Sequence, residues 1–114
     1  MKEIKLRAWN SRLKLMSEPF TIPNLLQAEV ELLHKSNYDD PIEWLLFLGL
    51  PDKQGKEICE GDRLYNGAGT YRTVHFVTNR SAYYAGELRL TRALALKLSV
   101  VNNKYEKPDI LAKE

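Results

Sequence analysis

Between residues 44 and 81, short apolar or β-branched runs are broken by Pro, Gly and Asn at spacings of roughly eight to twelve residues. This punctuation limits the fold more than any other feature, because a helix of ordinary length does not fit between the breaks. The run WLLFLGL at 44–50 is continuous and apolar, as expected of a strand buried on both faces. PDKQG at 51–55 is a turn with Gly55 at a positive-φ position, after which 57–65 returns as a strand. Asn66, Gly67, Ala68 and Gly69 make the next tight connection. Residues 70–77 are β-branched and aromatic, and 78–81 turn again. Leu94, Leu96, Leu98 and Val100 alternate with Ala95, Lys97 and Ser99, which predicts a last long strand.

The N-terminal third is more mixed. Ile4, Leu6 and Ala8 alternate with Lys5, Arg7 and Trp9, so 2–9 reads as a strand, and 13–17 can pair back across a turn at Asn10, Ser11 and Arg12. Pro19 and Pro23 end that pattern. Asn24 as N-cap and Gln27 at N3 then open a helix over about 25–35, with Leu25, Leu26, Ala28, Val30, Leu32 and Leu33 largely on one face. The same stretch also alternates, Ala28, Val30 and Leu32 against Glu29 and Glu31, so a strand is the competing reading. Pro108 suits N1 of a short C-terminal helix over 108–111. The sum is an α+β fold, predominantly antiparallel β, with 57–101 curling into a small barrel-like sheet. The expected core comprises Ile4, Leu6, Trp44, Leu46, Leu48, Ile58, Leu64, Val74, Phe76, Leu94, Leu96, Leu98 and Val100.

Three blocks of the chain resemble the YopX family of phage and prophage proteins. They are Arg7-Ala8-Trp9 with Met16 shortly after, the central LGLPDKQGKEI at 48–58 with Glu60-Gly61-Asp62, and VVNNKYEKPDIL at 100–111. The family pattern is roughly "RAW", "TGLKDKNGKEIYEGD" and "VIGNIYENPELL", in that order. Leu48, Cys59 and Asn102 stand where the family has Thr, Tyr and Gly, and 17–43 and 66–96 match weakly. The resemblance implies a mixed fold with a barrel-like C-terminal half and a phage or mobile-element origin. It implies no biochemical activity. At 114 residues the chain reads as one YopX-like domain, 1–114, with an N-terminal hairpin and helix over 1–43 and a barrel-like β region over 44–114. One cysteine and no apolar run long enough to span a bilayer set the expectation of a cytoplasmic, host-cell protein.

Chemistry-bearing residues are sparse. A Cys59/His75 dyad is conceivable, but a buried thiol beside an ordinary strand histidine is the plainer reading. Asp52, Glu57, Glu60 and Asp62 offer oxygen ligands, yet their spacing fits no calcium loop, and a solvated turn accounts for them. Gly67-Ala68-Gly69 lacks the remainder of a phosphate-binding motif. No catalytic set, metal or cofactor is expected, so the chain reads as a non-enzyme.

Charge is laid out unevenly behind a net value of +2. Residues 21–62 carry −6 and residues 63–107 carry +6. In the basic half Arg63, Arg72, Arg80, Arg89 and Arg92 interleave with Tyr65, Tyr71, Tyr83 and Tyr84. Guanidinium groups and rings together suit either nucleic acid or a protein-interaction hot spot. The expected binding residues are therefore Arg63, Tyr65, Tyr71, Arg72, Arg80, Tyr83, Arg89 and Arg92. A protein-interaction or assembly role with self-association leads, nucleic-acid binding is the alternative, and no membrane partner is expected.

Overall fold

Strands dominate because β-branched and aromatic runs are cut short by turns, as the punctuation requires. The computed structural model describes residues 4–107. In chain order the strands are β1 (Lys5–Asn10), β2 (Leu15–Met16), β3 (Phe20–Thr21), β4 (Ile42–Pro51), β5 (Glu57–Cys59), β6 (Asp62–Tyr65), β7 (Tyr71–Val77), β8 (Ala82–Ala85), β9 (Leu88–Arg89) and β10 (Ser99–Asn103). They form two five-stranded, mostly antiparallel sheets, in the orders β2-β1-β4-β5, with β3 also on β1, and β10-β6-β7-β8-β9. Helix is confined to α1 (Ile22–Leu26), α2 (Glu31–Lys35), α3 (Arg92–Ala95) and a 3-10 turn at Thr78–Arg80. The C-terminal helix expected over 108–111 lies outside the described residues. The chain packs as two compact units that divide between Phe47 and Leu48, within β4.

In the first unit β1 is central. β2 and β3 lie on one side of it, and β4 on the other, from Leu6 opposite Leu46 to Asn10 opposite Ile42. Ala8, Phe20, Val30 and Leu32 form the core. Buried Asn10 holds the connection that leads into β4, its Nδ2 donating to Ser36 Oγ (2.8 Å) and Asp40 Oδ2 (2.9 Å). The Arg12 guanidinium forks onto the same Asp40 and holds its carboxyl well below the usual carboxylate range.

The single helix expected over 25–35 is two short helices. Thr21, not Asn24, is the N-cap of α1, and Asn24 sits at N3 with its Oδ1 accepting from Thr21 N (3.2 Å). Ala28 then adopts a left-handed conformation (φ 58°). Ala28 N donates to Leu25 O and Glu29 N to Asn24 O, the two bonds of a Schellman ending. That ending frees Val30 to enter the core at the start of α2.

The second unit is built on Ile58, Leu64, Val74, Ala85, Leu90, Ala95 and Leu98, with Leu48, Leu94 and Val100 packed against them. The long strand expected from residue 94 is also corrected. Thr91 Oγ1 accepts from Leu94 N (3.2 Å) and starts α3, so Ala95 and Leu98 are buried at helical spacing while Leu96 is exposed. Four other core expectations need amendment. Ile4 and Phe76 are exposed, Trp44 is 47% exposed on a strand expected to be buried on both faces, and Leu46 is half-buried.

A non-glycine residue in the left-handed region costs about 1–2 kcal/mol. Ala28→Gly is therefore expected to stabilise the protein by about 0.5–1 kcal/mol, after the entropy that glycine loses on folding. Chemical denaturation of the two proteins side by side measures it.

Candidate functional site

Alternation along the second sheet divides its side chains between two faces. Val74 and Leu64 point to the core, so Arg72 and Phe76 share their face, and so does Tyr83, opposite Phe76 in the register. The opposite, outer face takes Tyr65 and Tyr71, which are register partners with ring centroids 4.6 Å apart. Two steps along β7, His75 pairs with Tyr84 at 6.3 Å, and Arg89 lies opposite Tyr84 on β9. Arg80 donates from Nη1 to Tyr84 Oη (3.1 Å) and stands over its ring at 5.7 Å. Tyr71 and His75, four residues apart, place the two aromatic pairs about 13 Å from each other along the strand.

The eight expected binding residues are thus split. Tyr65, Tyr71, Arg80 and Arg89 share the outer face, and Arg92 is exposed at the start of α3. Arg72 lies on the core side, where its side chain packs at Gly86. Tyr83 donates to Glu60 Oε2 (2.7 Å), and burial together with that carboxylate pushes its phenol well above the usual range. Arg63 is 0% exposed, with Nη1 donating to Asn102 Oδ1 (2.9 Å) and to the Lys107 carbonyl (2.5 Å). A β-bulge between Val100 and Asn102 sets Asn102 opposite Arg63. Arg63 is thus buried, and Arg72 and Tyr83 are half-buried on the core-side face. His75 was not among the expected site residues. Its even spacing from Tyr71 along one strand, and the equal distance of Tyr65 and Tyr71 from the turn between them, are the signals that could have found it.

The acidic residues of the central block fasten the fold. Asp52 is buried, with Oδ1 accepting from Gln54 N and Lys56 N (both 2.8 Å) and Oδ2 from Val100 N (2.9 Å). Burial alone would raise its carboxyl, but the three backbone donors outweigh that and hold it below its ordinary value. Gly55 has φ 84°, as the turn requires. Buried Asp62 accepts from Cys59 N (2.8 Å) and Asn103 Nδ2 (3.0 Å). Cys59 is fully buried, whereas His75 is exposed. Among the described residues, no group of three or more His, Cys, Asp or Glu side chains is placed to hold a metal ion, and no helix is long and apolar enough to cross a membrane.

No family model matches the chain, and no curated protein sequence matches it. A solved structure does. The chain is similar to protein EF1440 from Enterococcus faecalis, whose crystal structure aligns over 95% of this chain and 97% of that one, with a TM-score of 0.66 and 19% sequence identity. The likeness is one of fold.

Asp52→Ala is expected to destabilise the protein by about 2 kcal/mol, because the Val100 amide loses its acceptor in a partly buried place. Since folding lowers the Asp52 pKa, its contribution is present above the ordinary value of 3.8 and is lost as pH falls below it. The stability gap between wild type and Asp52→Ala, measured by urea denaturation, should therefore be full at neutral pH and narrow below about pH 4.

Proposed function

We propose that this chain is a non-enzymatic protein-interaction or assembly module of a phage or prophage, similar to the YopX family and working in the host cytoplasm. The observation that supports this reading is the composition of the β9 end of the second unit. At this end of the sheet Leu88 (44% exposed) and Phe76 (47% exposed) are uncovered on the core-side face, Arg89 and Tyr84 stand on the outer face with Arg80 against Tyr84, and β9 has no strand on its far side among the described residues. Apolar side chains, arginine and tyrosine at an unpaired edge are what protein interfaces use. The barrel-like curl expected over 57–101 is not carried by the second sheet, whose order leaves β10 and β9 as edges among the described residues; the curled half-barrel is the N-terminal sheet.

The paired rings Tyr65–Tyr71 and His75–Tyr84 favour a second reading, binding of single-stranded nucleic acid by stacking. It ranks lower because Arg72 lies on the core-side face and Arg63, though on the outer face by register, is 0% exposed. Light scattering and fluorescence anisotropy separate the two. The assembly reading expects molar mass to rise with protein concentration, Leu88→Ser to reduce that rise, and a labelled oligothymidylate to stay unbound at physiological salt. The nucleic-acid reading expects oligonucleotide affinity that falls steeply with salt and drops on Arg80→Ala, Arg89→Ala or Tyr71→Ala.

A further inference from the structure

We propose that the β9 edge of one copy docks into a groove in the first unit of a second copy, bringing Arg89 and Arg92 to Glu18, Glu29 and Glu31. The inference rests on the assembly reading and specifies its interface.

The groove has a volume of about 470 Å³ and runs between residues 15–20 and the start of α2. Leu15, Phe20 and Leu32 give it an apolar lining, and Glu18, Glu29 and Glu31 give it carboxylates. Lys35 pairs with Glu31 at 3.2 Å, so the lining keeps a negative balance. One wall is a strand edge. β2 and β3 both pair with β1, and Ser17 between them continues the pairing, its N donating to Ala8 O (2.8 Å) and its Oγ accepting from Ala8 N (2.8 Å). Among the described residues no strand lies on the far side of β2 or β3. A groove beside an open strand edge takes an extended segment by strand addition, and its carboxylates select a segment with cations.

This chain carries such a segment. β9 is itself an unpaired edge, Leu88 is exposed on it, and Arg89 and Arg92 are exposed at and just beyond it. The two arginines outweigh the single acid nearby, Glu87. Groove and edge are different surfaces, so each copy offers one of each and the contact is head-to-tail.

The test is a charge exchange on the full chain, read by light scattering and sedimentation velocity at low salt. Glu18→Lys with Glu31→Lys, and separately Arg89→Glu with Arg92→Glu, should each weaken self-association by about tenfold or more. An equimolar mixture of the two variants should recover association, because the groove of one and the edge of the other are again complementary. Arg89→Lys with Arg92→Lys should retain it, and far-UV circular dichroism should show that all variants fold. Wild-type association that neither reversal weakens, or folded variants whose mixture fails to recover, overturns this interface and leaves the assembly reading standing. A strictly monomeric wild type at high micromolar concentration overturns both.

Discussion

The second sheet depends on one side chain, Asn103. Its Nδ2 donates to Asp62 Oδ1 (3.0 Å) and to the Glu60 carbonyl (3.1 Å), and its Oδ1 accepts from Tyr105 N (3.1 Å). The amide reaches those partners because residue 61 is glycine. A Cβ there would stand 3.2 Å from the Asn103 amide atoms and from Tyr105, and the backbone at Gly61 has φ 84°. Gly61 also donates to the Val74 carbonyl (3.1 Å) and accepts from Lys104 N (2.9 Å). One position thus ties β6 to both of its neighbours, β7 and β10. Asp52 fastens β10 at its other end through Val100. Two buried carboxylates are tolerable here because peptide and amide donors satisfy them; without those donors, burying them would be strongly unfavourable.

The fasteners and the outer face share no residues. Asp52, Gly61, Asp62 and Asn103 hold the sheet, while Tyr65, Tyr71, His75, Tyr84, Arg80 and Arg89 project from it. All four fasteners fall in two stretches of the chain, 48–62 and 100–111. A likeness to EF1440 at 19% identity speaks to architecture and not to the outer face.

What could be read from the chain followed from local chemistry. The turns at 51–55 and 66–69 and the strands around them are dictated by Gly, Asn and β-branched residues, and the structure has them in place. The break in the expected helix could not be read so directly, since it needs Ala28 in a conformation that alanine disfavours and Val30 drawn into the core. Leu94, Leu96 and Leu98 fit period two, but Ala95 with Leu98 fits a helical turn as well, and the Thr91 cap decides between them. Arg63 was out of reach for another reason. An arginine next to a turn-rich, basic stretch looks like surface, and its burial rests on the Lys107 carbonyl, 44 positions away.

That separation has a temporal side. In the first unit, the pairings of β1 with β2, β3 and β4 are complete once Leu46 has been made. In the second, β6 waits for β10, the last of the described strands to be synthesised, and Gly61 keeps its place beside a side chain that emerges forty-two residues later. Contacts so distant in sequence close slowly and late. On the ribosome, then, the first unit can pair β1 with β2, β3 and β4 while the second is still an unfinished hairpin set, its β6 edge open to whatever binds nascent strands until Asn103 arrives.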